Sequence, residues 1–188
     1  MKIYLFAAAL IALQVSAGHA GDLVDAAQKA EAAVEAGNLA GAMAALNGAR
    51  DAVWSASPLT INKAILVASD PQGFGSYDIR DSNQYKSGEP IVIYTEPSGF
   101  GYGRDGDLYL VSMALDLQIN NSSGESIASQ EGFANWELRS RVPNKEFMGK
   151  ITYNFTGLEP GDYVVDTNIR DKNSDKTVRF STPFKIVE

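Results

Sequence analysis

The sequence contains no cysteine, and its single histidine is His19. Without cysteine the chain has no disulfide scaffold, no thiol nucleophile and no cysteine-ligated metal site. His19 lies inside an N-terminal segment with the pattern of a signal peptide, so the mature chain would lack histidine too. That excludes Ser-His-Asp and Cys-His catalysis and the common histidine-ligated zinc sites. We therefore predict a non-catalytic protein without a metal or another cofactor.

Residues 1–20 have the features of a secretory signal peptide. Lys2 supplies the positive charge, a short apolar run follows, and Gly18 and Ala20 are the small residues of a cleavage site. The run is shorter than the about 20 apolar residues of a membrane span. The pattern predicts an exported protein that begins at Gly21 and has no integral membrane segment. An exported chain without disulfides fits the bacterial periplasm better than a small secreted eukaryotic module, so the periplasm is the predicted location, with secretion as the alternative.

The charge of the chain is acidic. The formal net charge is −7 at pH 7, from 16 Lys and Arg against 23 Asp and Glu. Loss of Lys2 with the signal peptide would make the charge one unit more negative. An acidic chain without a basic cluster repels the phosphates of nucleic acids and of anionic lipids. We therefore predict no nucleic-acid partner.

Residues 21–57 are rich in alanine and have helical spacing. Glycine is common just after a helix and asparagine just before one, so Gly37 and Asn38 indicate a turn between two helices. Apolar residues recur three or four positions apart on both sides of this turn: Leu23, Ala27, Ala30 and Val34, then Leu39, Met43, Leu46, Val53 and Trp54. The pattern predicts a helical hairpin whose apolar stripes pack either on the neighbouring domain or on another protein.

Residues 58–188 change to a period of two. The change is clearest in Asp107–Asn120, where apolar residues alternate with polar or small ones, as in a half-buried strand. Other runs that predict strands are Ala64–Ser69, the surroundings of Ser76–Ile79, Pro90–Glu96, Phe147–Phe155, Tyr163–Arg170 and Val178–Ile186. Seven or eight short strands separated by turn residues predict an antiparallel β-sandwich. The predicted fold class is α+β, with the helical hairpin first and the sandwich after it.

The segment Leu158–Tyr163 reads L-E-P-G-D-Y and directly precedes a predicted strand. It resembles the tyrosine corner of Ig-like and fibronectin-III-like sandwiches, in which a tyrosine hydroxyl bonds to the backbone upstream. The resemblance implies an Ig-like sandwich over residues 58–188 and structural roles for Tyr163, Pro160 and Gly161. It implies architecture and no function.

Two segments combine glycine with aromatic residues, Gly73–Tyr77 and Ser98–Asp107. Exposed aromatic rings on loops suit stacking on a sugar or binding a protein. The alternative is that the phenylalanine rings are buried under their loops, as most aromatic rings are. The candidate binding residues are Phe74, Tyr77, Phe100, Tyr102 and Arg104.

Acidic residues offer two further possibilities. Asp171, Asn173 and Asp175 have the spacing that opens a calcium loop, but Lys176 stands where the loop needs glycine, so a polar turn is favoured. Paired carboxylates can hydrolyse glycosides, and three loop acids are candidates for such a pair. These acids are Glu96, Asp105 and Asp107.

Taken together, these features favour a non-catalytic periplasmic protein that binds other components of the bacterial envelope, either an envelope protein or a glycan. The alternative is a glycan or small-ligand binder that uses the glycine/aromatic loops. A carboxylate-based hydrolase is less favoured.

Overall fold

The computed structural model describes residues 18–188, with side chains from residue 21 onward. Residues 1–17, most of the predicted signal peptide, lie outside the described residues. The described residues divide into two compact units, one that ends at Val53 and one that spans Trp54–Glu188. The elements of the described range are α1 Gly18–Glu35, α2 Leu39–Ala56, β1 Thr60–Leu66, β2 Gln84–Lys86, β3 Ile91–Ser98, β4 Gly103–Asp105, β5 Leu108–Asn121, β6 Ser126–Ser140, β7 Gly149–Tyr153, β8 Gly161–Asp171 and β9 Thr177–Val187.

The α+β class, with two helices followed by mostly antiparallel strands, is confirmed. The Ig-like arrangement of these strands stays a prediction. None of the helices in residues 18–188 combines the length and the apolar character that a membrane span requires.

The helices form a hairpin around a tight turn. Gly37 has a φ of +72°, in the left-handed region that glycine adopts readily. The side-chain oxygen of Asn38 accepts a hydrogen bond from the Gly41 amide at 2.9 Å, as an N-cap does. The turn therefore has the chemistry that the Gly-Asn pair predicted.

The seam between the two helices consists of small residues. Ala30 and Ala42 are 6% and 4% exposed, and half-buried small residues extend this seam: Ala26, Ala33, Gly41, Ala45, Ala49 and Ala52. Of the predicted stripes, Ala30 lies in this seam, whereas Leu39 and Met43 lie outside it and are 65% and 60% exposed. Small side chains occupy the seam, and the larger side chains of both helices lie outside it.

The strands form two sheets. The smaller sheet has the order β1-β3-β7, and the larger has the order β2-β9-β8-β5, with β6 also paired to β5. Among the strand pairs of residues 18–188, only the short β2–β9 pair is parallel. Tyr109 of β5 pairs with both β4 and β6, so these two strands lie on opposite edges of β5. Strand β8 also pairs with β5, on the edge opposite β6. Strands β4 and β8 therefore lie along the same edge of β5, one after the other.

One hydrophobic core draws side chains from both sheets. Its fully buried members include Ile91, Ile93, Met113, Leu115, Ile151, Val165 and Ile169. The apolar residues of β5 face this core as expected. The opposite face of β5 is also covered in the middle, because Ser112 and Ala114 are each 5% exposed. Ala114 lies between Asn135 and Arg170, whose longer side chains flank it on the neighbouring strands.

Several strand predictions differ from the structure. Ser76–Ile79 contributes only isolated bridges, including one between Val67 and Ile79. The short strands β2 and β4 and the first part of the long edge strand β6, residues 126–135, were not predicted. Their sequences carry little alternation, and they are strands because a neighbouring strand offers hydrogen-bonding partners.

Candidate functional site

The glycine-rich segment Ser98–Asp107 buries its first aromatic ring. Phe100 is 1% exposed, and its ring centroid lies 4.9 Å from that of Trp54 in an edge-to-face contact. The Trp54 indole N–H donates to the carbonyl oxygen of Phe100 at 2.8 Å. The ring of Phe100 therefore belongs to the core, where it contributes buried apolar area, and it is not accessible to a ligand.

The next two candidate residues of this segment also have partners within the fold. The Tyr102 hydroxyl donates to the carbonyl oxygen of Asn144 at 3.0 Å, and its ring is half-buried. Arg104 is exposed, and its guanidinium carbon lies 3.6 Å from the ring centroid of Tyr109, which is a cation–π contact. Of the three candidates in this segment, Arg104 is exposed, Tyr102 is half-buried and Phe100 is buried.

The glycine segment is held by the β8–β9 turn, which is the segment with calcium-loop spacing. Asp171 is 4% exposed, and its carboxylate accepts hydrogen bonds from the amides of Gly101 and Asn173 at 2.7 and 3.0 Å. The Ser174 hydroxyl donates to the same carboxylate. Lys176 donates from Nζ to the carbonyl oxygen of Gly99 at 2.8 Å. These two sequence features form one structural clamp, in which hydrogen-bond donors occupy the carboxylate oxygens.

Two glycines of the segment are required by close contacts. Gly99 has a φ of +75°, and a Cβ there would lie 2.2 Å from the carbonyl oxygen of Pro58. At Gly103 a Cβ would lie 2.5 Å from the side-chain oxygen of Asn173. Glycine is needed at these two positions because no side chain fits there. The glycines of the segment can therefore be explained without a bound ligand.

The second glycine/aromatic segment lies over the smaller sheet. The ring of Tyr77 stacks on that of Tyr94 with centroids 4.2 Å apart. The Gly75 amide donates to the Tyr94 hydroxyl, and this hydroxyl donates to Oε1 of Glu96, both at 2.7 Å. Phe74 is 45% exposed, so it is the one ring of the four aromatic candidates that is largely accessible.

Charged groups reinforce this contact. Lys63 Nζ lies 3.3 Å from Oε1 of Glu96. Hydrogen bonding to Tyr77, and then to Glu96, raises the pKa of Lys63, and burial raises the pKa of Tyr94. These contacts hold the segment Gly73–Tyr77 on the smaller sheet. The Glu96 carboxylate binds both Lys63 and Tyr94.

The other two carboxylates proposed for hydrolysis are exposed, and Asp105 shares Arg139 with Glu137. Asp105 forms an ion pair with Arg139 at 2.7 Å. Asp107 is exposed in the turn between β4 and β5. In residues 18–188 no group of three or more His, Asp or Glu side chains is arranged to hold a metal ion.

The tyrosine-corner segment has a local hydrogen bond. The Tyr163 hydroxyl donates to the carbonyl oxygen of Glu159 at 2.9 Å. The Tyr163 ring stacks on Phe184 with centroids 5.5 Å apart. Gly161, directly after Pro160, begins β8 and pairs with Ile186. This bond fastens the turn before β8 to the start of the strand.

The outer face of β5, β8 and β9 carries two hydrogen-bonded carboxylates. Arg170 binds Asp116 with two hydrogen bonds of 2.8 Å, and the Gly132 amide donates to it at 2.8 Å. The Arg170 guanidinium holds the pKa of Asp116 well below its usual range. Burial raises the pKa of Asp166, but hydrogen bonds from Ser181, Arg179 and Asn120 outweigh burial, so the net shift is downward. Both groups are held as anions, which suits a structural role better than proton transfer.

A groove that the sequence did not predict lies between β6 and β7. Its volume is about 390 Å³, and it is lined by Leu117, Ile119, Ala128, Ser129, Gln130, Phe133, Thr152, Tyr153, Asn154 and Phe155. The rings of Phe133, Tyr153 and Phe155 stack in series, with successive centroids 5.5 and 5.3 Å apart. The only sequence signal was the recurrence of aromatic residues in both segments, which core packing explains equally well.

The helical hairpin carries an apolar face of its own. At about 100° per residue, Leu39, Met43, Leu46 and Val53 fall within an arc of about 80° on α2. Leu23 and Val34 lie on one side of α1. On each helix, viewed along its own axis, the apolar strip lies on the same rotational side of the alanine seam. Because the two helices are antiparallel, the two strips lie on the same face of the hairpin. The exposed fractions along this hairpin face are 38% for Leu23, 53% for Val34, 65% for Leu39, 60% for Met43, 50% for Leu46 and 47% for Val53.

Comparisons with known proteins give no family. No family model and no curated protein sequence matches the chain. Among solved structures, the alkylpurine DNA glycosylase AlkC of Pseudomonas fluorescens, bound to DNA with an abasic-site analogue, is 13% identical with a TM-score of 0.37. The match covers 82% of this chain and 40% of that one. The sporulation control protein Spo0M of Bacillus subtilis is 12% identical with a TM-score of 0.30, over 69% of this chain and 49% of that one. This chain thus spans less than half the length of either, and the likeness assigns neither fold nor activity to it.

Proposed function

We propose that this chain is a non-catalytic, exported protein of the bacterial envelope, and that the apolar face of its helical hairpin binds an apolar surface of another envelope protein. The observation that carries the proposal is the hairpin face, with six large apolar side chains 38–65% exposed. Contiguous apolar surface of this kind is typical of protein interaction sites.

The size of the hairpin supports a partner. A two-helix unit with an alanine seam buries little apolar area, and amphipathic helices need a packing surface for most of their stability. Full burial of a leucine or methionine side chain contributes roughly 2 kcal/mol, so the half-exposed members of the face add about 1 kcal/mol each. Association costs about 4 kcal/mol or more. We therefore expect a weak complex that is best captured by crosslinking in the cell.

The export half of the proposal is supported by the first twenty residues. The charge at Lys2, the short apolar run and the small residues at Gly18 and Ala20 match a cleavable signal. The absence of cysteine and the acidic charge are compatible with the bacterial periplasm.

We also propose that residues 58–188 form an Ig-like module. Support comes from the Tyr163–Glu159 hydrogen bond at 2.9 Å and from the single core shared by two sheets. Ig-like modules act through surfaces rather than through a conserved catalytic site, which agrees with a binding role. The glycan-binding alternative keeps one accessible aromatic residue of its loops, Phe74.

Site-specific photocrosslinking in intact cells tests the proposal. A photoreactive amino acid replaces Met43 on the hairpin face and, as a matched control, Lys29, which lies along the opposite groove of the hairpin with Ala44 and Gly48. We expect a discrete adduct with a second envelope protein from position 43 and none from position 29. Leu46→Asp should abolish the adduct from position 43.

Three results would contradict the proposal. These are equal adducts from both positions, an adduct only with a second copy of the chain, or a crosslink confined within one chain. Recovery of the full-length precursor from the cytoplasmic fraction alone would contradict export.

A further inference from the structure

We propose that the groove between β6 and β7 binds an extended polypeptide segment as an added β-strand, with apolar side chains at alternate positions of that segment. The groove and the hairpin face have no residue in common. Its test can therefore fail without affecting the proposed function, and it can succeed if that function is wrong.

Both walls of the groove are strand edges. Within residues 18–188, β6 pairs only with β5, and β7 pairs only with β3. Each strand therefore has one side without a strand neighbour. Seven consecutive residues of β6, numbers 126–132, are exposed. An edge of this kind presents main-chain donors and acceptors to an incoming strand.

The two edges are joined at one end and open at the other. The Trp136 indole N–H donates to the carbonyl oxygen of Lys150 at 3.1 Å, which connects β6 to β7 there. Beyond Trp136, β6 changes register near Leu115 and Leu117, and the Gly132 amide bonds to Asp116 at 2.8 Å. After this irregularity the stretch at 126–130 borders the open groove. A register irregularity of this kind bends a strand, so β6 lies next to β7 at Trp136 and diverges from it along residues 126–130.

The floor of the groove is apolar and rigid. Phe133 and Phe155 are half-buried on either side of Tyr153, which is 1% exposed. The Tyr153 hydroxyl is bonded to Thr167, and burial raises the Tyr153 pKa to about 12, so this ring stays neutral and fixed. Leu117 and Ile119 of β5 complete the floor. A strand directs alternate side chains to one face, so every second residue of the incoming segment would meet this floor.

The lining also determines the character of the segment. None of the ten residues along the groove carries a charge. An uncharged segment therefore enters without leaving an unpaired buried charge, while basic residues at its ends suit the chain's net charge of −7. The five residues 126–130 that border the groove span about 17 Å of strand, and such a contact lies below the about 1,200 Å² of a standard stable interface. We expect dissociation constants in the micromolar range, typical of a transient complex.

The binding experiment uses a fluorescent nonapeptide with the sequence Lys-Thr-Val-Thr-Phe-Thr-Val-Thr-Lys and measures anisotropy with the full mature chain. Two matched peptides serve as controls. One has the same composition with its three apolar residues contiguous, and the other has N-methylated amides on alternate residues, which removes strand hydrogen bonds. We expect saturable binding of the first peptide and at least tenfold weaker binding of both controls.

Two variants locate the site. Ala128→Lys places a charge in the groove lining, whereas Ile127→Lys changes the adjacent residue, which is 44% exposed and outside the lining. Both positions are exposed, so neither variant should unfold the protein. We expect at least a tenfold loss of peptide affinity for Ala128→Lys and less than a twofold change for Ile127→Lys.

Several outcomes would overturn the proposal. They are no saturable binding of the alternating peptide, equal binding of the N-methylated peptide, or equal losses in the two variants. Binding of a neutral oligosaccharide array that Ala128→Lys abolishes, without peptide binding, would assign the groove to glycans instead. A dimer in sedimentation velocity that Ala128→Lys disperses, again without peptide binding, would assign it to a second copy.

Discussion

Removal of the Asp171 carboxylate is the sharpest test of how the glycine-rich segment is held. Asp171 is 4% exposed and accepts hydrogen bonds from the Gly101 amide, the Asn173 amide and the Ser174 hydroxyl. Asp171→Ala leaves these donors without their acceptor. Hydrogen bonds to charged groups contribute about 1.5–3 kcal/mol each, and water will replace part of that loss. We expect the free energy of unfolding to fall by about 3–5 kcal/mol, which is large for a single substitution.

Urea unfolding followed by tryptophan fluorescence measures the effect, since Trp54 and Trp136 both lie in the strand unit. With a slope of about 2 kcal/mol per molar urea, a loss of about 4 kcal/mol lowers the midpoint by about 2 M. Asp171→Asn keeps the shape and one acceptor oxygen, so we expect it to lose about half as much. Asp175→Ala is the matched control, because Asp175 belongs to the same motif and is exposed.

A cation site would give a different pattern from a clamp. If the motif bound calcium, Asp175→Ala would lose about as much stability as Asp171→Ala, and chelation would lower the stability of the parent protein. If the motif is a clamp, the free energy of unfolding should be the same in calcium and in chelator, because protein donors occupy the Asp171 oxygens. The reasoning is refuted if Asp171→Ala unfolds within about 0.5 kcal/mol of the parent, which is the range of ordinary surface substitutions.

Three further predictions concern the same unit. Phe100→Ala should lower the free energy of unfolding by about 3–5 kcal/mol and Phe74→Ala by less than about 0.5 kcal/mol in urea titrations, because the first ring is 1% and the second 45% exposed; equal losses would contradict these placements. Gly99→Ala should destabilise more than Gly106→Ala in thermal unfolding, since both have positive φ but only the first would place its Cβ 2.2 Å from a carbonyl oxygen; equal melting temperatures would refute the close contact. The pKa of Asp116 is lower in the folded state than in the unfolded state, chiefly through a guanidinium hydrogen bond, so its contribution is complete above the unfolded pKa of about 4 and is lost as pH falls below it. Asp116→Asn should therefore flatten the decline of urea stability between pH 5 and 2, and an unchanged decline would contradict the assignment.

Local patterns predicted most elements of the fold and few of their contacts. The Gly37-Asn38 turn and the long alternation of β5 are properties of neighbouring residues, and the structure contains both. The helical stripe was recognised, but its partner was not, because the alanine seam leaves Leu39 and Met43 exposed. Periodicity identifies which side chains share a face and does not identify what that face meets.

The candidate site was harder to predict than the fold. The aromatic residues of the glycine segments were identified from the sequence, but the burial of Phe100 depends on Trp54, which lies 46 positions earlier in the chain. No local sequence pattern predicts the groove between β6 and β7, because the groove forms where the edges of two different sheets face each other. Strand order decides which edges remain open, and that order depends on long-range pairing.

By itself the sequence determined the available chemistry and the kinds of elements. Residue types set the first, since a chain without cysteine has neither a thiol nucleophile nor a cysteine-ligated metal site. Period and turn residues set the second. The tertiary structure alone decided that Asp171 would hold Gly101, 70 positions away, and that the glycine segment would be packed rather than displayed. Such contacts depend on which strands become neighbours, and that is a property of the whole fold.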